Sequence, residues 1–327
     1  MGENYGYLNA RISAMKSELI PVEAYHKMML MELPDITRTI SEGAYKEDVT
    51  ELSKNFRGAD LIEYALNLNL ARAYQKLITI SKGTAHTFIV AYMERWDKEN
   101  VTSILRGTRS GIGPQEIAET LVPVGKLSFP YLLSLTHRSY EEAVADLEGK
   151  DIIPRDAASP VEREREMDRQ YYEQYYAVAV ATGDRKAASF VRREIDYRNL
   201  KILLRLLAGG TPAEDIEQEM VYRGDTLTKE TVRGIARLSL TDARTRLGSL
   251  FPELSLKKDE DVAITEQRID RALILYGEKL AHLHMFSPLA VLGFILRKYQ
   301  EILNLRLIVR GKQLSMPPNV MKTLLVV

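Results

Sequence analysis

One ten-residue pattern occurs three times in this chain, and it limits the possible folds more than any other feature. The copies are Asp97-Lys98-Glu99-Asn100-Val101-Thr102-Ser103-Ile104-Leu105-Arg106, Asp196-Tyr197-Arg198-Asn199-Leu200-Lys201-Ile202-Leu203-Leu204-Arg205 and Glu301-Ile302-Leu303-Asn304-Leu305-Arg306-Leu307-Ile308-Val309-Arg310. Each reads acid, two free positions, Asn, Val or Leu, two free positions, two aliphatics and Arg, without a gap. Counted from Asn, the aliphatics at +1, +4 and +5 have the spacing of one apolar stripe on an α-helix. The acid lies one turn before Asn beside that stripe, and Arg stands where a cation suits the C-terminal end of a helix. Gly107 and Gly311 follow Arg directly in the first and third copies, as a helix stop would. The three Asn residues are 99 and 105 positions apart. This spacing predicts an all-α chain of three similar units, residues 1–107, 108–206 and 207–327.

A second block strengthens the reading. Glu116-Ile117-Ala118-Glu119-Thr120-Leu121-Val122-Pro123-Val124-Gly125 aligns without a gap to Asp215-Ile216-Glu217-Gln218-Glu219-Met220-Val221-Tyr222-Arg223-Gly224, both starting sixteen positions past their Asn. Two blocks in one register are the mark of an internal repeat.

The rest of the chain also reads as helix. Ser159-Pro160-Val161-Glu162 and Thr211-Pro212-Ala213-Glu214 place a cap, Pro and Glu as helix starts do, with Gly113-Pro114 and Ser287-Pro288 as weaker versions. Residues 5–16, with Leu8, Ile12 and Met15 on one face, predict a first helix, and polar helices follow over Thr37–Leu52 and Leu61–Ile80. The helix from about Thr84 to Arg106 carries the first motif copy. Residues 150–160 form the expected internal loop and 257–261 an exposed turn. Tyr171, Tyr172, Tyr175 and Tyr176 pair at i, i+4 and predict a helix–helix seam. Apolar residues on nearly every side between Pro288 and Val309 predict a central, buried helix. The apolar tail, residues 321–327, predicts a docked C-terminus. No period-two alternation suggests a strand.

Composition excludes several classes of function. Lys plus Arg and Asp plus Glu both number 45, a balance that argues against nucleic acid. There is no Cys, hence no disulfide, thiol nucleophile or Cys metal cluster. The N-terminus has no basic region leading into an apolar core, and Met285–Leu296 is too short for a membrane span, which needs about 20 residues. Gly107–Gly113 is glycine-rich but follows a helix and lacks a closing Gly-Lys-Ser/Thr, so both nucleotide fingerprints fail. His282 and His284 would point to opposite sides of a helix, and Glu278 with His282 gives two metal ligands where three or four are needed. The remaining His26, His86 and His137 have no nucleophile–acid arrangement around them. Asp97, Asp196 and Glu301, each repeated with its Asn100, Asn199 or Asn304 and its Arg106, Arg205 or Arg310, read as structural polar clamps. A tripled active-site carboxylate would have no chemical purpose. The residues alone therefore predict a non-enzymatic helical scaffold without cofactor or metal.

Three stretches together resemble one family. They are Tyr5-Gly6-Tyr7-Leu8-Asn9-Ala10-Arg11-Ile12 with Met15-Lys16, the run Arg95-Trp96-Asp97 through Gly107, and Glu301-Ile302-Leu303-Asn304-Leu305-Arg306. In order and spacing they resemble the C subunit of the archaeal A-type and bacterial V-type rotary ATP synthases, the counterpart of the d subunit in eukaryotic V-ATPases. The resemblance implies three helical domains arranged as a pseudo-threefold funnel. It implies a socket that takes the central shaft, made of the D and F subunits, and rests on the membrane proteolipid ring. It places the chain as a peripheral protein on the cytoplasmic face of the cell membrane, serving ATP-linked ion transport, and carries over no catalytic residue. Two rival readings stay open. A prenyl-synthase-type helical enzyme would need clustered aspartates on facing helices. A soluble helical-repeat adaptor would not purify with membranes.

Overall fold

The structure, a computed structural model, describes residues 5–326. Met1–Asn4, where the leader reading begins, and Val327, the end of the apolar tail, lie outside the described residues. Two helices come first, α1 (Tyr5–Lys16) and α2 (Val22–Met28). A five-helix order then occurs three times: two short helices, two long ones and a short one. The first run is α3 (Leu33–Ser41), α4 (Lys46–Leu52), α5 (Gly58–Ile80), α6 (Gly83–Arg109) and α7 (Pro114–Thr120). The second is α8 (Phe129–Thr136), α9 (Tyr140–Gly149), α10 (Pro160–Ala181), α11 (Arg185–Ala208) and α12 (Ala213–Gln218). The third is α13 (Lys229–Ile235), α14 (Leu240–Leu250), α15 (Val262–Leu283), α16 (Leu292–Gln313) and α17 (Pro318–Leu324). The fold is all-α, with no strand among the described residues. Each copy of the motif lies on the fourth helix of its run: α6, α11 or α16.

The helix starts follow the cap chemistry closely. Ser128, Ser139, Thr228 and Ser239 each accept a backbone N–H from the first turn, and Ser139 with Glu142 closes a full capping box. Ser159 Oγ likewise accepts the Glu162 N–H at the start of α10. Thr211 does not cap α12, where Pro212 holds the cap position instead. The segment over Thr37–Leu52 breaks at residues 42–45, giving α3 and α4 instead of one polar helix.

The motif helices do not stop at Gly107 and Gly311, as the sequence suggested. They run past both glycines, to Arg109 and Gln313, and the left-handed caps stand eleven residues past Asn, at Gly111, Gly210 and Ser315 (φ 70°, 70° and 54°). There the following N–H reaches back to a carbonyl inside the helix, Ile112 to Gly107, Thr211 to Leu206 and Met316 to Gly311, the six-to-one bond of a Schellman cap. Gly107 and Gly311 serve close packing. A Cβ at Gly107 would sit 2.6 Å from Ile117 Cγ1, and one at Gly311 would sit 2.5 Å from Met321 Sδ.

The chain forms two compact units. In residues 33–178, the stripe Val101, Ile104 and Leu105 of α6 packs with Ile117 of α7, Leu132 and Leu135 of α8, Ala143 and Leu147 of α9, and Met167 of α10. Further along α10, Tyr175 meets Phe88 and Tyr92 of α6 at 5.5 and 5.9 Å between ring centres, so the tyrosine run forms a helix–helix seam. The other unit comprises residues 5–32 and 179–326. Its core repeats the scheme, with Leu200, Leu203 and Leu204 of α11 against Ile216, Val232, Ile235, Leu247 and Ile269. Here α16 is buried on nearly every side, with α15, α1 and α2 against it. The apolar tail is docked through Met321, Leu325 and Val326.

Candidate functional site

The three motif copies build one device three times. The Asn side chain is buried on the motif helix and pairs with both polar groups of one backbone residue, in the manner of a β-ladder rung. Asn100 Nδ2 donates to Val122 O at 2.8 Å while Val122 N–H donates to Asn100 Oδ1 at 2.8 Å. Asn199 makes the same pair with Val221, at 2.8 and 3.1 Å, and Asn304 with Val326, at 2.8 and 2.9 Å. The partner is 22 residues downstream each time. An amide is suited to this work because it carries donor and acceptor together. The residues that pair with the Asn side chains after α7, α12 and α17 are buried and belong to no helix or sheet. The amide supplies partners for their backbone groups.

The acid one turn earlier holds the next stretch of chain. Asp97 accepts the N–H groups of Lys126 (2.6 Å) and Leu127 (3.1 Å). Asp196 accepts those of Asp225, Thr226 and Leu227, all at 2.9 Å. Gly125 and Gly224 precede these loops because nothing larger fits: an added Cβ would lie 2.2 Å from the Asp97 carboxylate and 2.0 Å from that of Asp196. In copy three the rung is Val326. Glu301 instead accepts the N–H of Ile20, 281 residues upstream, at 2.6 Å, and pairs with the buried Lys298 at 2.6 Å. The stretch between α1 and α2 thus stands where copies one and two have their own loops. Tyr25 of α2 reinforces the junction. Its hydroxyl is held well above the usual tyrosine range, mainly by burial and then by the Glu301 charge, while it hydrogen-bonds the Asn304 side chain.

Arg106 and Arg205 reach across to the long helix that follows, forming fork-like pairs with Glu164 of α10 and Glu266 of α15. These two pairs are surface-exposed on the Arg side, so each adds about 0–1 kcal/mol. Arg310 lies exposed in the last turns of α16. Among the described residues no group of three or more His, Cys, Asp or Glu is arranged to hold a metal ion.

Burial raises the carboxyls of Asp97 and Asp196 above the ordinary aspartate value of 3.8, against the pull of the backbone N–H groups, which favour the charged form. Ionising them is therefore costlier in the fold than in the open chain. Their contribution to stability falls as pH rises from 3.8 through the raised value and is level beyond it. Half-buried Asp146 is the opposite case. Hydrogen bonds from Lys150, Tyr131 and Arg138 lower it to about 2, so its contribution is complete above 3.8 and is lost as pH falls towards 2. Carboxyl NMR titration should give two well-separated midpoints, with Asp196 above 3.8 and Asp146 near 2. An Asp196 midpoint at or below 3.8 would show that the N–H groups outweigh burial.

The backbone partners in these clamps escape a reading of the sequence by residue type. Counting 22 positions from Asn304 reaches Val326, and counting 17 from the three Asn residues reaches Ile117, Ile216 and Met321, all buried. The second repeat block therefore has a third copy in the tail, legible once that offset is applied. Ile20 carried no signal, because what it contributes is a backbone N–H.

Known proteins match along the whole chain. The family model described as ATP synthase (C/AC39) subunit matches residues 8–324. A protein of Methanococcoides burtonii named as the C subunit of A-type ATP synthase is 34% identical, with 99% of this chain and 94% of that protein covered. Proteins of the same name from Archaeoglobus fulgidus and Haloferax volcanii are 32% and 28% identical, covering 96% and 100% of this chain and 93% and 98% of theirs.

Proposed function

We propose a mechanical role for this chain, which belongs to the ATP synthase (C/AC39) subunit family: a non-catalytic coupler in the central stalk of a rotary A/V-type ATP synthase. In this role it seats the shaft, made of the D and F subunits, and turns with the membrane proteolipid ring on the cytoplasmic face. The observation that carries the reading is how the recurring polar residues are used. Asp97, Asp196 and the three Asn side chains are buried or largely so, and their acceptors and donors are taken up by the chain's own backbone. Groups spent in this way hold loops rigidly to helices and have little capacity left for chemistry. A torque-bearing part needs such stiffness, because close-packed interiors transmit strain where loose ones absorb it. None of the described helices is long and apolar enough to cross a membrane, which suits attachment through another chain.

The recurring helix order supports three similar units, which we take as residues 1–107, 108–206 and 207–327 with the N-terminal segment completing the third clamp, and a pseudo-threefold funnel is the arrangement proposed for them.

The test is to remove the chain from the assembled complex. ATP hydrolysis by the head should persist while ion pumping into sealed vesicles is lost, and adding back the purified chain should restore pumping. Vesicles that lack the chain yet load ions at a normal rate per ATP hydrolysed would rule the coupling role out.

A further inference from the structure

At the turn that follows α15 the protein puts its apolar side chains outward. Leu283 is 61% exposed, Met285 49% and Phe286 76%, three large apolar residues within four positions. Isolated exposed apolar residues are ordinary, but a cluster of them on one turn marks an interaction site. The turn is held in place. Ser287 N–H donates to His284 O, His284 N–H to Leu280 O, and Asn9 of α1 donates its amide to Met285 O at 2.7 Å.

The charge around this turn is one-sided, although the whole chain is neutral. Between Glu278 and Glu301 there is no Asp or Glu, and none occurs in residues 5–17 of the α1 segment that Asn9 ties to the turn. The two bounding acids are engaged: Glu278 is paired with Arg297, and Glu301 is buried against Lys298. Lys279 and His282 are exposed beside the turn, and Arg11 is exposed on α1. The three apolar side chains are left exposed to solvent on a turn whose own segment carries no acid. Exposed Phe, Leu and Met with cations and no acids match the boundary of an anionic bilayer, where apolar groups enter the acyl layer and cations meet the headgroups.

We infer that the turn at residues 283–286 is a lipid-contacting tip that inserts its apolar side chains into the surface of an anionic membrane. This goes beyond the mechanical role proposed above. It is tested on the isolated chain without shaft or ring, so its failure leaves that role standing.

The experiment is co-sedimentation of purified full-length protein with vesicles of phosphatidylglycerol and, separately, of phosphatidylcholine. The protein should pellet with phosphatidylglycerol vesicles and at least about tenfold less with phosphatidylcholine, and salt on the order of 0.5 M should weaken the binding. Replacing Leu283→Ser and Phe286→Ser together should lower partitioning about tenfold or more, since two apolar side chains no longer enter the acyl layer. Both positions are exposed, so the melting temperature should not change, and a folding defect would not pass for lost binding. Two results overturn the inference: wild-type protein that ignores phosphatidylglycerol vesicles, or a double variant that pellets as wild type does. A third does so as well: no vesicle binding by wild type, combined with a double variant that fails to rejoin the detergent-solubilised complex, would assign the tip to a protein partner.

Discussion

Replacing Asn199 by Leu should remove a large fraction of the stability of the unit it belongs to. The amide is fully buried and satisfies both the N–H and the C=O of Val221. Leu cannot pair with either group, and water does not reach them. The Val221 N–H is left without an acceptor inside the fold, which costs about 1–3 kcal/mol, while its C=O keeps the Arg223 N–H at 3.0 Å. Against a typical domain stability of about 5–15 kcal/mol, that is enough to shift a denaturation midpoint strongly. Asn199→Asp separates the two halves of the effect. A carboxylate can accept from Val221 N–H, but it sets an anionic oxygen against Val221 O, which lies 2.8 Å from the native nitrogen. That variant should be strongly destabilised at neutral pH and partly recover in acid, where the protonated acid donates again. Asn100→Leu should be similarly costly in the other unit, because Val122 depends on Asn100 in the same way. Urea denaturation of the three variants decides the matter. An unchanged midpoint for Asn199→Leu would mean that Val221 finds other partners and that the clamp is not a stabilising device.

The clamp also shows what the sequence makes legible. Asn100, Asn199 and Asn304 could be found because a side-chain amide in an apolar stripe is conspicuous and recurs in register. Their partners could not be found by residue type. Val122, Val221, Val326 and Ile20 act through backbone groups that nearly every residue carries, so only a fixed offset could point to the three valines, and nothing in the sequence points to Ile20. The glycines show a different limit. Gly107 directly follows the motif Arg, as a stop would, but its absent side chain makes room for Ile117, and the stop comes at Gly111. A left-handed turn and a close approach both select glycine, and composition cannot tell them apart. Helix content was more transparent, because caps and apolar periodicity act locally. The break at residues 42–45 is not legible in the sequence, since a polar stretch interrupted by a short turn has nearly the same pattern as a continuous polar helix.

Gly224→Ala should be nearly as damaging as the loss of Asn199, although it adds a single methyl group. The new Cβ would fall 2.0 Å from Asp196 Oδ1, well inside any allowed contact. The carboxylate has little room to yield: it is buried on α11 and holds three backbone N–H groups at 2.9 Å. Either the loop lifts away and those N–H groups lose their acceptor, or the side chain leaves and an acid must be desolvated elsewhere. Overpacking costs about 1–3 kcal/mol, and each hydrogen bond given up inside the fold costs about 1–3 kcal/mol more. Gly125→Ala should act alike through Asp97, where the Cβ would lie 2.2 Å from the carboxylate. Gly113→Ala and Gly149→Ala are the controls, because an added Cβ meets nothing within 4 Å at either position and neither has a left-handed φ. These should change the thermal midpoint little. The double change Gly224→Ala with Asp196→Ala identifies the cause: it should cost less than the sum of its parts, because the atom that clashes is gone. Additive losses, or a Gly224→Ala midpoint equal to that of Gly113→Ala, would show that the loop moves freely and that the acid does not fix it to the helix.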